Sequence, residues 1–448
     1  MVEKLKNSIV NLYGVGELGF ILLMTMATSY YSYFITDVAL LSAAAMGTIL
    51  LTARIVDAIS VFFAGGIIEK SNLPWGKYRS WLMIGPVFIA IFFLVMFYNP
   101  NLAPAAKALY LGIAYVIAHV CVNLSTVAYY TMVAVLGKDP SDRIVLSARR
   151  GQANAAAKVI FGLIAMPMVI FIGGGNEAKG FFLTVLIFAI IMMASFFLIA
   201  KISKPYDLPN NAKTTGAPKV TLGDMGKAIG TNSQLLLLML TEVTRFTAMF
   251  GTYAMVTYYF KYVVGSMLMI SIFFVAINVA MLLGTIVSQI LAKKIDKKNT
   301  YLTGLVIFLA CLVLTYLFAN NATTFITLMA IGFFGFAFGN TLNTGMYSDA
   351  ADYAEWKNGK STKGAVMAMF TLPIKIGIAI GGAVAGYGLA GIGYVAKAPV
   401  TPELISGVKM LITAIPGIAA IIGIIVLLFY KLSATKLAQY QKEIRERA

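Results

Sequence analysis

The sequence predicts an all-α integral membrane protein of about twelve spanning helices, and three observations carry that expectation. Of 448 residues, 60% are hydrophobic and only 12% charged, with a mean hydropathy of +0.84, a balance that no soluble domain hides inside one core. The apolar residues fall in runs of about twenty, long enough to cross bilayer hydrocarbon, and they lack the strict alternation of a barrel strand. Lipid leaves backbone polar groups unsatisfied, so such runs must be helices. The formal charge of +17 is also unevenly placed: of 35 Lys and Arg, only Lys107, Lys179, Lys261, Lys397 and Lys409 border one side, and four more lie inside runs. The remainder flank the side that holds both termini, which makes that side cytoplasmic and places the chain in the cell membrane. Topology thus explains the charge, and no nucleic-acid partner is implied, since that reading needs a basic face on a folded soluble domain.

The first run, 11–34, follows Met1 to Asn11 without a small-residue cleavage site and is expected to be retained as a helix. Its Gly14, Gly16 and Gly19 spell G-x-G-x-x-G. In a strand-turn-helix unit that pattern would cradle a dinucleotide; inside a span it reads as close helix packing. Runs follow at 41–67, 80–98, 105–136, 151–173 and 179–200. The polar stretch from Lys201 to Gln234 (KISKPYDLPNNAKTTGAPK) then reads as a cytoplasmic linker. Runs at 234–260, 265–291, 300–319, 323–347, 364–394 and 407–430 complete a second set. The expected organisation is a six-helix bundle over 1–200, a linker over 201–233, a second bundle over 234–431 and a basic cytoplasmic tail over 432–448. Each half places a short basic loop after its second run (EKSNLPWGKYR, KKIDKKN) and a longer charged loop after its fourth (GKDPSDRIVLSARR, SDAADYAEWKNGKSTK), a weak internal repeat. Cys121 and Cys311 lie within apolar runs, so neither a disulfide framework nor a zinc-ligand spacing is present.

Ionisable groups inside apolar runs are costly and point to function. Arg54 and Asp57 stand at i and i+3 near the middle of the second run, on one helical face. They form either a neutralised structural pair or a carboxylate that changes charge by taking up a cation or proton. Lys375, in the eleventh run, is likewise far from the ends where a lysine reaches the interface. Glu242 and Arg245 repeat the i, i+3 spacing in the seventh run, either as a structural bridge or as a site for a substrate carboxylate or hydroxyl. Lys158 lies two turns past Arg149 and Arg150, where snorkelling is the simpler reading. His119, the only histidine, has no ligand partners in sequence and reads as a packed residue rather than a proton relay.

Four segments resemble the glycoside-pentoside-hexuronide:cation symporters, a branch of the major facilitators, over Tyr13 to about Pro416. They are YGVGELG (Tyr13 to Gly19); ARIVDAI with WGKYR (Ala53 to Ile59, Trp75 to Arg79); DPSDRIVLSARRG (Asp139 to Gly151); and SDAADYAEWKNGK (Ser348 to Lys360) followed by Lys375. The resemblance implies two six-helix bundles that hold solute between them near mid-membrane, with bacterial glucuronide carriers the most similar in flavour. It makes Asp57 the cation-binding carboxylate, assisted by Asn123 and Thr371, with Ser60 nearby and Lys375 in the coupling set. The family's second carboxylate, one turn later, is Val61 here. Sodium needs several hard oxygen ligands, so proton coupling is the favoured expectation, with Na+ and uncoupled facilitation as alternatives.

The sugar site implied by the resemblance comprises Glu17, Thr126, Tyr129, Tyr130 and Arg150, to which Glu242 and Arg245 are added. The carboxylates used by the melibiose carrier are replaced by Ile21 and Thr126, so galactoside recognition is not expected. The rings of Tyr30, Tyr31 and Tyr33 either stack on a sugar or aglycone or anchor at the interface. Arg54, Asp349 and Asp352 are assigned to a conformational charge network. The family's G-x-R-x-E-G loop reads GKSTKG, with Ser361 and Lys363 at its charged positions. The expected protein is therefore a secondary active glycoside transporter, without cofactor and monomeric, whose partners are its solute and the bilayer. Its rival from another class is a polytopic membrane enzyme using Asp349 and Asp352 as metal ligands.

Overall fold

A computed structural model of the chain describes residues 7–71, 73–137, 140–207, 230, 232–319, 321–358, 366 and 369–447. Twelve of its helices are long and apolar enough to cross a membrane. In chain order they are α1 (Asn7–Tyr33), α2 (Ala43–Lys70), α3 (Arg79–Met96), α4 (Pro104–Leu136), α5 (Pro140–Gly173), α6 (Glu177–Ile202), α7 (Ser233–Tyr258), α8 (Met269–Ile295), α9 (Lys297–Phe318), α10 (Ala322–Asn358), α11 (Leu372–Gly391) and α12 (Pro402–Leu428). α1 and α7 each run on into a π turn, Phe34–Val38 and Tyr259–Val264. Local chemistry sets the starts. Ser42, Asn176, Asn232 and Asp296 accept backbone N–H groups in the first turns of α2, α6, α7 and α9, caps worth about 1 kcal/mol each. Pro104 opens α4, where its missing N–H is no loss.

Three boundaries differ from the apolar runs. α5 begins at Pro140, eleven residues ahead of its run, and α10 continues to Asn358, past the apolar limit at 347. Both extensions are charged, and a helix needs no hydrophobicity once it leaves the hydrocarbon. α11 begins at Leu372 after a 3-10 turn, Met369–Thr371, rather than at 364. A thirteenth helix, α13 (Ala434–Arg447), occupies the segment read from sequence only as a basic tail.

The chain divides into two compact units: Met1–Thr214 with Gly265–Val275 and Gly386–Leu404, and Thr215–Val264 with Ala276–Ala385 and Ile405–Ala448. In the first, α1 packs on α5 and α6, α3 on α4 and α6, and α2 on α4. The glycines of α1 are contact points. A Cβ on Gly14 would lie 2.9 Å from the Arg149 carbonyl, on Gly16 3.0 Å from the Tyr129 ring, and on Gly19 3.0 Å from Met192 Cα. Beside them the Tyr13 and Tyr129 rings stack at 5.0 Å, and each hydroxyl donates to the other residue's carbonyl. Tyr30, Tyr31 and Tyr33 are fully buried. Tyr30 packs on Phe161, Phe181 and Phe274, and Tyr31 on Tyr115 and Phe97. Their rings build this unit's core, because ring-on-ring packing holds helices together where lipid supplies no hydrophobic drive. Asp207, past the end of α6, accepts the backbone N–H groups of Lys77, Tyr78 and Arg79 at 3.1, 2.7 and 2.6 Å, and so caps α3.

In the second unit α9 packs on α10, and α10 also meets α7 and α13. Leu437 of α13 joins a buried cluster with Leu235, Leu238, Tyr347, Ala350 and Leu427. The Trp356 and Tyr440 rings stack at 4.2 Å, and the Trp356 indole donates to Glu443 at 2.6 Å. One apolar face of α13 thus fastens it to the charged end of α10.

Candidate functional site

Asp57 lies near the middle of α2, 2% exposed. One oxygen, Oδ1, accepts from Asn123 Nδ2 of α4 at 2.7 Å; the other meets Arg54 Nη1 at 3.3 Å. Asn123 also reaches Ser60 Oγ at 2.7 Å, and Ser60 donates to the Asp57 carbonyl at 2.9 Å. The α2–α4 packing therefore gathers four of the sequence-derived residues. Arg54 is as buried as its partner, with its guanidinium carbon 5.0 Å from the centroid of the Tyr115 ring, yet its Nε and Nη2 have no hydrogen-bond partner among the described residues. Its 3.3 Å contact with Asp57 is long for an ion pair at this depth, since charge-assisted bonds run nearer 2.7–2.9 Å. Thr371, at the end of the 3-10 turn, and the half-buried Lys375, one turn into α11, belong to the second unit.

A second cluster joins α1, α4 and α5. Glu17 accepts from Arg150 Nε and from Asn154 Nδ2, both at 3.1 Å. Arg150 and Asn154 stand four apart on α5, and Lys158 follows after another four on the same face. Arg150 is 24% exposed and lies 3.9 Å from the centroid of the Tyr130 ring, itself partly exposed. Tyr129 is committed to Tyr13, and the Thr126 hydroxyl to the Val122 carbonyl of its own helix at 2.8 Å. An accessible guanidinium beside an accessible aromatic face can hold a carboxylate or hydroxyl and cover an apolar sugar face.

Glu242 and Arg245 in α7 make a different arrangement. Arg245 donates from Nε and Nη2 to the two oxygens of Glu242 at 3.1 and 2.7 Å, and from Nη1 to Asn340 at 2.8 Å. Tyr301 of α9 and Asn343 of α10 also donate to Glu242. The guanidinium sits between the Phe246 and Phe336 rings, 4.5 and 4.7 Å from their centroids. Each guanidinium nitrogen and each carboxylate oxygen is engaged. Asp349 accepts from Lys297 at 2.7 and 2.9 Å, and Asp352 from Gln441 of α13 at 2.8 Å. Among the described residues no group of His, Cys, Asp and Glu has the form of a metal site. Ser361, Lys363 and most of the 201–233 linker lie outside the described residues.

Sequence reasoning missed Asn154, Tyr301, Asn340 and Asn343. The asparagines carried a signal, because an amide inside an apolar run is expensive unless it has a partner. Tyr301 carried none.

A profile of the family described as MFS/sugar transport protein matches residues 12–434. The isoprimeverose transporter of Lactiplantibacillus pentosus is 29% identical over 423 residues, 94% of this chain and 87% of that one. The glucuronide carrier protein homolog of Escherichia coli (strain K12) is 25% identical over 97% of this chain and 94% of its own length. Among solved structures, an inward-facing, unoccupied bacterial homolog of the human lysosomal transporter Spinster superposes with a TM-score of 0.71 at 12% identity, covering 97% of each chain, a likeness of fold.

Proposed function

The chain belongs to the MFS/sugar transport protein family, a family of transporters and not of enzymes, and on that premise we propose that it is a proton-coupled glycoside symporter working by alternating access. The observation that carries the reading is the Asp57 cluster: a buried carboxylate mid-way along a spanning helix, beside a guanidinium with unused nitrogens. A proton arriving at Asp57 cancels its charge and weakens its 3.3 Å contact with Arg54, so ion binding changes the electrostatics of the α2–α4 contact. Val61 stands where a second carboxylate would complete a sodium site, and the amide of Asn123 offers Asp57 a nitrogen in this geometry; both favour a proton over a metal cation.

Solute binding is assigned to Arg150 and Tyr130, positioned by Glu17 and Asn154. Arg150 and Lys158 give this face of α5 one positive charge more than Glu17 cancels, which suits an anionic glycoside such as a glucuronide. Glu242 and Arg245 brace the second unit. The two six-helix bundles of 1–200 and 234–431 move about the solute, with both termini in the cytoplasm. Proteoliposomes loaded to impose a pH gradient test the reading. Wild-type protein accumulates a glucuronide along with protons; Asp57→Asn exchanges it down its gradient but does not accumulate it. Accumulation by Asp57→Asn equal to wild type excludes Asp57 as the coupling group, and wild-type uptake indifferent to pH excludes the proton, giving a sodium symporter where a sodium gradient drives accumulation and the uncoupled facilitator where it does not.

A further inference from the structure

A cleft of about 360 Å3 opens where α9 begins and α12 ends, lined by Asp296, Lys298, Tyr430, Lys431, Ser433 and Lys436. Three ammonium groups face one carboxylate, and that carboxylate is occupied in capping α9, accepting from Asn299 N at 2.8 Å and from Asn299 Nδ2 at 3.2 Å. Lys298 donates to the Leu428 carbonyl at 2.8 Å, which ties the start of α9 to the end of α12 and leaves two of its three protons for a ligand. Further along the same two helices runs an apolar groove of about 290 Å3, lined by Leu309, Val313, Leu317, Gly417, Ile418 and Ile421. A Cβ on Gly417 would meet nothing within 4 Å, so the groove is open at that point. Ile421, Ile418 and Gly417 are seven, ten and eleven residues from Leu428, roughly 10, 15 and 16 Å along the axis at 1.5 Å per residue, so an acyl chain that fills one leaflet of about 15 Å reaches the near end of the groove, as far as Gly417.

We propose that α9 and α12 bind one anionic phospholipid, with the phosphate in the lysine cleft and the end of an acyl chain at the near end of the groove, beside Ile421, Ile418 and Gly417. The charge of the cleft selects an anion. The groove selects a lipid over a free phosphate, since it has no use for an ion. The occupant comes from the leaflet on the side of the basic loops, where negative headgroups attract juxtamembrane lysines by about fivefold in affinity per lysine. Lys436 stands on the first turn of α13, so a bound headgroup also holds that helix to the second unit.

Thermal unfolding of the full chain in neutral detergent tests this with four probes: long-chain phosphatidylglycerol, long-chain phosphatidylcholine, short-chain phosphatidylglycerol and inorganic phosphate. The melting point should rise with the first alone. Lys431→Gln with Lys436→Gln, both on exposed side chains, should weaken that lipid roughly twentyfivefold, while the paired Lys→Arg substitutions keep it. Gly417→Leu, which fills the groove, should remove the preference for long chains and leave the preference for negative charge. Equal stabilisation by phosphatidylcholine, or a Gln variant that responds as wild type does, overturns the headgroup site. Equal stabilisation by inorganic phosphate or the short-chain lipid overturns the lipid in favour of a free anion.

Discussion

The Arg54–Asp57 pair of the first unit and the Glu242–Arg245 pair of the second share their i, i+3 spacing, their chemistry and their burial, and differ in their surroundings. The second is bidentate, supplied by Tyr301, Asn340 and Asn343, and sandwiched between two phenyl rings. The first includes a 3.3 Å contact and an amide, and two of its guanidinium nitrogens have no hydrogen-bond partner among the described residues. A saturated pair resists any change of charge, because each lost bond strands another in low dielectric. An under-satisfied pair has less to lose when one member is neutralised. Such tolerance is what an ion-coupling site requires and what a brace must avoid.

Loss of the carboxylate charge in either pair can break this comparison. Glu242→Ala should lower stability by about 3–5 kcal/mol, the cost of removing one partner of a buried bridge, read as a large drop in melting point with partial rescue in Glu242→Ala/Arg245→Ala. A melting point close to wild type would refute the brace. Arg245→Lys keeps the charge but loses the fork and the Asn340 contact, and should cost about 2 kcal/mol while solute affinity in a binding assay stays unchanged; a selective loss of glucuronide affinity would return Arg245 to the solute site. Asp57→Asn should cost only about 1 kcal/mol, the worth of one net hydrogen bond, although it abolishes accumulation. Loss of stability as large as that of Glu242→Ala would erase the distinction. Val61→Asp sharpens it with the smallest effect: one turn from Asp57, it should bring a few-fold sodium stimulation of uptake that the wild type is expected to lack, and no response to sodium would show that the two carboxylates do not converge.

Twelve spans were legible because each is a local property: about twenty apolar residues announce a helix whatever surrounds them. The extensions of α5 and α10 were not, since charge outside the bilayer says nothing about helicity, and α13 is recognisable only from the partners its Leu437 and Tyr440 find. The candidate site divides in the same way. The i, i+3 spacing of Arg54 with Asp57, and of Glu242 with Arg245, is written in the sequence. Which pair is saturated depends on Tyr301, Asn340 and Asn343, about sixty to a hundred residues away, and long-range satisfaction has no local signature. The resemblance marked Arg150 and Glu17, and the fold brought them together across 133 positions.

Asp207 sets an order of events. The backbone donors that begin α3 wait for a carboxylate 128 positions later in the chain, so during synthesis the second connection stays unlatched until the sixth helix has emerged. Its closing precedes the making of Gly265–Val275 and Gly386–Leu404, the later segments of the first unit. A ribosome that has made residue 207 has made every part of that latch, before α7 and the helices after it exist to compete for partners.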